Sequence, residues 1–178
     1  MPFRIRQFKK ADFDTLWQID QVCFDPQLAY SRAEMAFYMR RTGAFTLVAE
    51  TEAADRSKVA DVPSNRDMQA TPATSPSVLG FIVAEIRRQT GHIITIDVVA
   101  SARRLGVGSA LLLAAEERLR AAGAASVALE TAVNNAAAIR FYKQKGYFVE
   151  KTIRGYYSNE LDALVMSKDL VSASGTLS

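Results

Sequence analysis

Between Ile93 and Gly123 the chain changes its hydrophobic period once, and that change constrains everything built around it. Ile93, Ile94, Thr95, Ile96, Val98 and Val99 form a β-branched run, the composition of a strand buried in a sheet. Leu111, Leu112, Ala115 and Leu119 then recur at helical spacing, so the segment finishes as a helix with one apolar face. Gly106-Val107-Gly108 stands at the junction, with no Cβ on either glycine to hold a ligand away from the backbone N–H groups. Those groups open a helix, where the macrodipole places partial positive charge, and Arg103 and Arg104 stand beside them. Strand, glycine loop and helix in this order describe an anion site; the other reading of the same residues is a tight turn. The loop is not a Walker A motif, because no Lys-Ser or Lys-Thr pair follows. Nor is it G-x-G-x-x-G, because Leu111 stands where the third glycine belongs.

The flanks read as further strands and helices. Phe3, Ile5 and Phe8 alternate as a strand, and Asp12 is placed to cap a helix whose apolar face is Phe13, Leu16, Trp17, Ile19 and Cys23. Pro26 breaks that helix, and Ser31 with Glu34 forms a capping box for a second one running to Met39. Phe45 to Glu50 and Val78 to Ile86 read as partner strands, with Thr51 to Ser77 between them as a flexible, polar enlargement of a hairpin connection. His92 is expected in the next turn, in a surface or strand-edge role. After Gly123, Val127 to Thr131 is a strand, Asn134-Asn135 caps a helix over Ala136 to Gln144, and Lys145-Gly146 ends it. Tyr147 to Ile153 reads as a strand, Arg154 to Leu161 as a polar loop carrying Tyr156 and Tyr157, and Ala163 to Met166 as the last strand. The expectation is one domain over residues 1–170 and a disordered tail over 171–178.

Composition removes several classes. A chain of 178 residues, 49% hydrophobic, suits one well-packed domain. Its formal charge of +3 is dispersed, with no basic stripe for nucleic acid. No apolar run approaches the roughly 18 residues of a membrane span, so no membrane partner and a cytoplasmic location are expected. One cysteine and one histidine leave no disulfide, zinc cluster or Ser-His-Asp triad, and no metal is expected. Cys23 reads as a small buried filler.

A second signature, Asn134 to Tyr147 (NNAAAIRFYKQKGY), follows the glycine loop in order. Together with Arg103-Arg104-Leu105-Gly106-Val107-Gly108 it resembles the GNAT N-acetyltransferases, over about Phe3 to Leu170 and most strongly after Leu79. Within that family the wording, with IRGYY and DALVMS further on, is most similar to bacterial ribosomal-protein-alanine N-acetyltransferases. The resemblance implies an α/β fold whose mixed, mainly antiparallel sheet, flanked by helices, is splayed around acetyl-CoA between the 93–99 and 127–131 strands. It implies that amides from Arg104 to Ser109, through Leu105, Gly106, Val107 and Gly108, hold the pyrophosphate, with Arg103 or Arg104 on the adenosine phosphates. Backbone N–H groups around Asp97 and Val98 would take the pantetheine and polarise the thioester, with Asn135 beside them. Tyr142 would be the general acid for the CoA sulfur and Glu130 the general base. Tyr142 lies seven residues from Asn135, two turns along one helix face. From the residues alone, a core-packed tyrosine and a solvated strand carboxylate remain the other readings of this pair. Phe24, Tyr30, Tyr156 and Tyr157 would wall the acceptor slot. The chain departs from the family pattern at Tyr30-Ser31, Leu105, Asp97 and the 51–77 insert.

The acceptor the resemblance implies is a protein or peptide N-terminus, a ribosomal protein among the candidates. With ordinary pKa values of about 8 for an α-amine and about 10.4 for lysine, deprotonating the α-amine costs roughly 3.3 kcal/mol less, which suits a single carboxylate base. A small-amine or lysine-side-chain acetyltransferase and a non-catalytic acyl-CoA-binding module are the alternatives. Oligomeric state is not legible.

Overall fold

The computed structural model describes residues 2–52, 77–157 and 161–171. The elements are β1 (Phe3–Gln7), α1 (Phe13–Cys23), α2 (Arg32–Met39), β2 (Ala44–Thr51), β3 (Val78–Arg87), β4 (Thr90–Val98), α3 (Val107–Ala121), β5 (Ser126–Ala132), α4 (Ala136–Gln144), β6 (Phe148–Tyr157) and β7 (Leu161–Asp169). The strands form one sheet in the order β1-β2-β3-β4-β5-β7-β6. Every pairing is antiparallel except β4 with β5.

That one parallel pairing places the site. It holds only at Thr90↔Ser126, Gly91↔Val127 and His92↔Ala128, after which β4 runs on to Val98 and β5 to Ala132 with no ladder between them. The sheet is therefore splayed where the sequence predicted. Ile94 sits at a bulge, because Ala84 pairs with Ile93 while Val83 pairs with Thr95. One extra residue exchanges the faces of the residues after it, so Ile93 joins the core under α3 while Thr95 and Asp97 turn the other way.

Two apolar layers clamp the sheet. On one face Leu111, Leu112, Ala115 and Leu119 of α3 pack on Ile82, Ala84, Val127 and Leu129, with Tyr142 and Tyr147 in the same cluster. On the other, Leu16 and Ile19 of α1 and Met35 of α2 cover Val48, Phe81 and Val83. Burying each large side chain of this kind contributes roughly 1.5–3 kcal/mol. Under α3 a buried carboxylate, Glu116, accepts the Tyr147 hydroxyl at 3.0 Å and the Lys168 ammonium at 2.6 Å.

Several local expectations need correction. Asp12 does not cap α1 with its side chain; its carboxylate takes the Lys9 amide and the Arg6 guanidinium. His92 lies inside β4 rather than in the turn before it. Tyr156 and Tyr157 belong to a strand, because β6 runs through Tyr157 and pairs Tyr157 with Leu161; Gly155, at φ +58°, is the irregularity that reads as a loop in the sequence. The capping box of Ser31 and Glu34 is present, with Ser31 accepting the Glu34 amide. The ends of the 51–77 insert are clipped together by Thr51 N–H to Ser77 O and Ser77 N–H to Thr51 Oγ1, both at 2.9 Å. Its residues 53–76, and the tail 172–178, lie outside the described residues.

Candidate active site

The splay of β4 from β5 opens a cleft of about 630 Å³. One end is the start of α3. Gly106 takes φ +86°, a left-handed conformation that glycine adopts without strain, and no side chain caps the helix there. The Ala110 amide bonds Gly106 O at 2.9 Å, so the N–H groups of Val107, Gly108 and Ser109 precede the first intrahelical bond and remain available. The side chains of Val107 and Leu105 are elsewhere: Val107 is buried under the sheet and Leu105 is half exposed. A Cβ on Gly108 would meet Val98 Cγ2 at 3.6 Å and Phe141 Cζ at 3.7 Å, which is ordinary contact. Arg103 is turned back on the strand, its Nε donating to Val98 O at 3.1 Å. Among the described residues no side chain pairs with Arg104, whose φ of +62° swings it out at the cleft mouth.

These features suit a ligand carrying phosphates at one end and an amide-bearing arm at the other. Orphan amides at a helix N-terminus and a flanking guanidinium answer the first, and the unpaired edge of β4 answers the second. They fit acetyl-CoA.

The opposite end holds the titratable groups. Tyr142 lines the cleft and is 6% exposed, packed edge-on against Phe141 and Tyr147. Among the described residues its hydroxyl has no hydrogen-bond partner, so the ring is packed while the O–H is unspent. Burial, with the charge of Asp97, pushes its pKa well above the ordinary phenol value, and it stays protonated at neutral pH. Across from it Glu130 lines the cleft, and its Oε2 lies 2.6 Å from His92 Nε2. Burial works against a charged His92, yet the Glu130 hydrogen bond and the charges of Glu130 and Glu85 outweigh it, and the net shift is upward. The sequence pointed to Glu130 and not to His92, whose contact with it exists only because β4 and β5 lie side by side.

Asp97 lines the cleft with Val98, on the stretch of β4 that has no ladder to β5. Its side chain is 1% exposed beneath α1, with Oδ2 accepting the Thr95 hydroxyl at 3.1 Å and Oδ1 without a partner. Burial, then the nearby Asp20, push it up to about 8. Asp20 is itself fully buried, and burial raises it to about 6 against the hydrogen bonds it accepts from the Tyr30 amide and Gln21. Cys23 also borders the cleft, partly buried against the cluster of Leu16, Ile19 and Phe81 as a small filler, its thiol raised by burial.

A second cavity of about 570 Å³ adjoins the first, sharing Phe24, Leu28, Asn135 and Tyr157 as walls. Asn135 Oδ1 is used in capping α4, accepting the Ala138 amide at 3.1 Å. Tyr30 is held over the cleft: its backbone oxygen takes Trp17 Nε1 and Gln21 Nε2, and its hydroxyl reaches Ile94 O at 3.4 Å. Tyr157 stands on the other side, raised to about 12 by burial, with Tyr156 and Glu130 adding to the shift. Tyr156 is outside the cleft, 47% exposed and edge-on to Tyr157. Among the described residues no group of three or more His, Cys, Asp and Glu side chains is arranged to hold a metal ion. No helix among them is long and apolar enough to cross a membrane.

A family model described as the acetyltransferase (GNAT) family matches residues 14–147, well over half of the chain. This chain belongs to the GNAT family. It is similar to an uncharacterized N-acetyltransferase of Methanocaldococcus jannaschii, 37% identical over 101 residues that cover 56% of this chain and 65% of that protein. It is also similar to an N-alpha-acetyltransferase of Sulfurisphaera tokodaii, 40% identical over 81 residues, or 45% of this chain and 48% of the other. The matches thus span about half to two thirds of these curated relatives. The crystal structure of Ard1 from Thermoplasma volcanium superposes with a TM-score of 0.76 at 26% identity, covering 97% of this chain and 100% of that one. Membership of the GNAT family stands as expected from the two signatures. Within the GNAT family these relatives are archaeal, in place of the bacterial ribosomal-protein-alanine enzymes that the wording of the C-terminal half suggested.

Proposed function

We propose that this chain transfers an acetyl group from acetyl-CoA to the α-amine of a protein or peptide N-terminus. One observation carries the reading: a single cleft joins an anion-binding helix start, a protonated tyrosine with a free hydroxyl, and a carboxylate–imidazole pair. The name N-alpha-acetyltransferase borne by the Sulfurisphaera tokodaii relative supports it.

Acetyl-CoA supplies a thioester whose carbonyl carbon accepts the amine. The amides of Val107, Gly108 and Ser109, with Arg104, hold its phosphates. The unpaired edge of β4 from Ile93 to Val98 receives the extended arm through backbone hydrogen bonds. Tyr142 holds the proton that the departing sulfur needs. Glu130, backed by His92, takes a proton from the incoming ammonium. At neutral pH an α-ammonium near pKa 8 asks roughly 3.3 kcal/mol less of an imidazole–carboxylate base than a lysine near 10.4 does. Phe24, Leu28 and Tyr30 on one side and Tyr157 on the other form a narrow aromatic passage, suited to an extended chain end.

The test is acetyl transfer to peptides differing in their first residues, an alanine-first ribosomal-protein N-terminus among them, beside lysine peptides with blocked N-termini and polyamines. Free N-termini are expected to be the preferred acceptors. Preference for blocked lysine peptides or polyamines would overturn the α-amine reading, and no transfer to any acceptor would overturn the enzyme.

A further inference from the structure

Beneath α1 lie two carboxyl groups that no step above uses. Asp20 of α1 is 0% exposed and Asp97 of β4 is 1% exposed. Leu16, Asp20 and Cys23, four and three residues apart, share the face of α1 that packs on the sheet. Cys23 Sγ lies 3.5 Å from Val98 O, which sets this end of the helix over the residue that follows Asp97. One oxygen of each carboxyl is spent. Asp20 Oδ2 accepts the Tyr30 amide at 2.8 Å and Gln21 Nε2 at 3.0 Å, and Asp97 Oδ2 accepts the Thr95 hydroxyl at 3.1 Å. The other oxygen of each, Oδ1, is buried without a donor.

Buried polar atoms are ordinarily satisfied, so two orphans on facing elements need one explanation. Two ionised carboxyls would set like charges together out of water. Arg103, the cation that acts on Asp97, is already turned to Val98 O and to Cys23 Sγ. Two neutral carboxyls would place a pair of O–H groups face to face with a single bond between them. One proton satisfies both orphans, as donor on one oxygen and bonded to the other. Building on the reading of the cleft as the acceptor site, we infer that Asp20 and Asp97 share one proton between their Oδ1 atoms, and that this bond ties Tyr30 of the acceptor wall to the strand that receives the cosubstrate arm. Burial raises both carboxyls, and Asp20 adds to the rise of Asp97, as in two carboxyls that keep a proton between them at neutral pH.

The tie passes from Thr95 through Asp97 and Asp20 to the Tyr30 amide. Trp17 and Gln21 hold the Tyr30 carbonyl at 3.1 and 2.8 Å, so α1 grips this residue by both backbone atoms while its side chain stands over the cleft. Asp20 is therefore a positioning residue, acting on the acceptor through Tyr30. The groups that face the pair are Gln21 and Cys23 of α1, Tyr30 after it, Thr95 of β4, Arg103 beyond β4 and Tyr142 of α4; Phe81, the β3 partner of Asp97, is apolar.

Infrared spectroscopy in heavy water reads a protonated carboxyl by its C=O stretch, apart from the carboxylate and amide bands. At neutral pD the native chain is expected to show the band of one buried acid. Asparagine at either position offers an N–H in place of the shared proton, so Asp97→Asn and Asp20→Asn should each lose the band, the remaining carboxyl now ionised. Kinetics reads the tie. Asp20→Ala should raise the acceptor KM about tenfold, the worth of one lost hydrogen bond, with kcat and acetyl-CoA affinity within about twofold. Asp20→Asn, whose amide oxygen accepts the Tyr30 N–H, should bring KM back to within about threefold of native. Both asparagine variants keep the native volume and carry the infrared test should Asp20→Ala fail to fold. A band that survives in either of them, or is missing from the native chain, would overturn the shared proton. An acceptor KM unmoved in Asp20→Ala would overturn the tie to Tyr30. A chain that acetylates no acceptor would overturn the reading of the cleft and the tie with it, whereas the infrared band decides the pair by itself, so the two failures are told apart.

Discussion

Replacing Asp97 with asparagine should stabilise the protein at neutral pH and cost it about 1–2 kcal/mol at pH 4. The carboxyl is 1% exposed, one oxygen has no partner, and the other takes only the Thr95 hydroxyl. Burial and Asp20 raise it to about 8, whereas an aspartate in the unfolded chain titrates near 3.9. The folded state therefore binds this proton more tightly than the unfolded one. The stability it lends is complete below about pH 4 and is lost as pH rises toward 8. At pH 7 the folded chain has lost about three pH units of that advantage, or about 4 kcal/mol at 1.36 kcal/mol each. Asparagine removes the penalty but brings an amide into a dry site, where one unpaired N–H costs about 1–2 kcal/mol. The net gain is about 2–3 kcal/mol, or about 5–10 °C in Tm for a chain of this size. Thermal unfolding followed by circular dichroism at pH 4, 5.5, 7 and 8 measures it. A Tm difference equal at pH 4 and pH 7, or a lower Tm for Asp97→Asn at pH 7, would refute the reasoning.

Three further outcomes are expected. Tyr142→Phe should keep its Tm and acetyl-CoA affinity, since the ring packs and the hydroxyl has no protein partner, while turnover falls about 10²-fold or more; native turnover would remove Tyr142 from the mechanism. Gly108→Ala should be tolerated because its Cβ meets only ordinary contacts, whereas Gly108→Leu should fill the cleft between Val98 and Phe141 and cut acetyl-CoA affinity at least about 100-fold by calorimetry with Tm unchanged; equal affinity would place the cosubstrate elsewhere. Lys168→Met should cost about 2–3 kcal/mol in urea unfolding, because Glu116 is then left buried with the Tyr147 hydroxyl alone; a neutral result would show that water reaches Glu116.

What the sequence disclosed and what it hid divide by the distance over which the information acts. The strand–loop–helix unit, the Ser31–Glu34 cap and the stop at Gly146 are local signals, each fixed by residues within a turn or two of one another. Tyr142 sits in the second signature and Glu130 in the strand just before it, and both line the cleft. His92 was not legible, because its partner Glu130 is 38 residues away and nothing local marks a histidine between glycine and isoleucine. The bulge at Ile94 was hidden for another reason: Ile93, Ile94, Thr95 and Ile96 are all β-branched, so the pattern names a strand without naming its faces. The same ambiguity concealed that the Asp97 side chain lies beneath α1. Gly155 interrupts a strand that side-chain alternation would otherwise have carried through Tyr157.

The three-residue parallel seam has a consequence for cooperativity. A sheet of two antiparallel halves joined by so short a ladder leans on α3, whose apolar face packs on Ile82 and Ala84 of the first half and on Val127 and Leu129 of the second. A molecule that bridges the gap works as a temporary rung, lending the folded chain a stability of RT ln(1 + [L]/Kd), about 2.7 kcal/mol at a hundredfold excess over Kd. The protein would then borrow part of its own cohesion from the reagent it consumes, and its resistance to heat and proteases would rise and fall with the supply of that reagent.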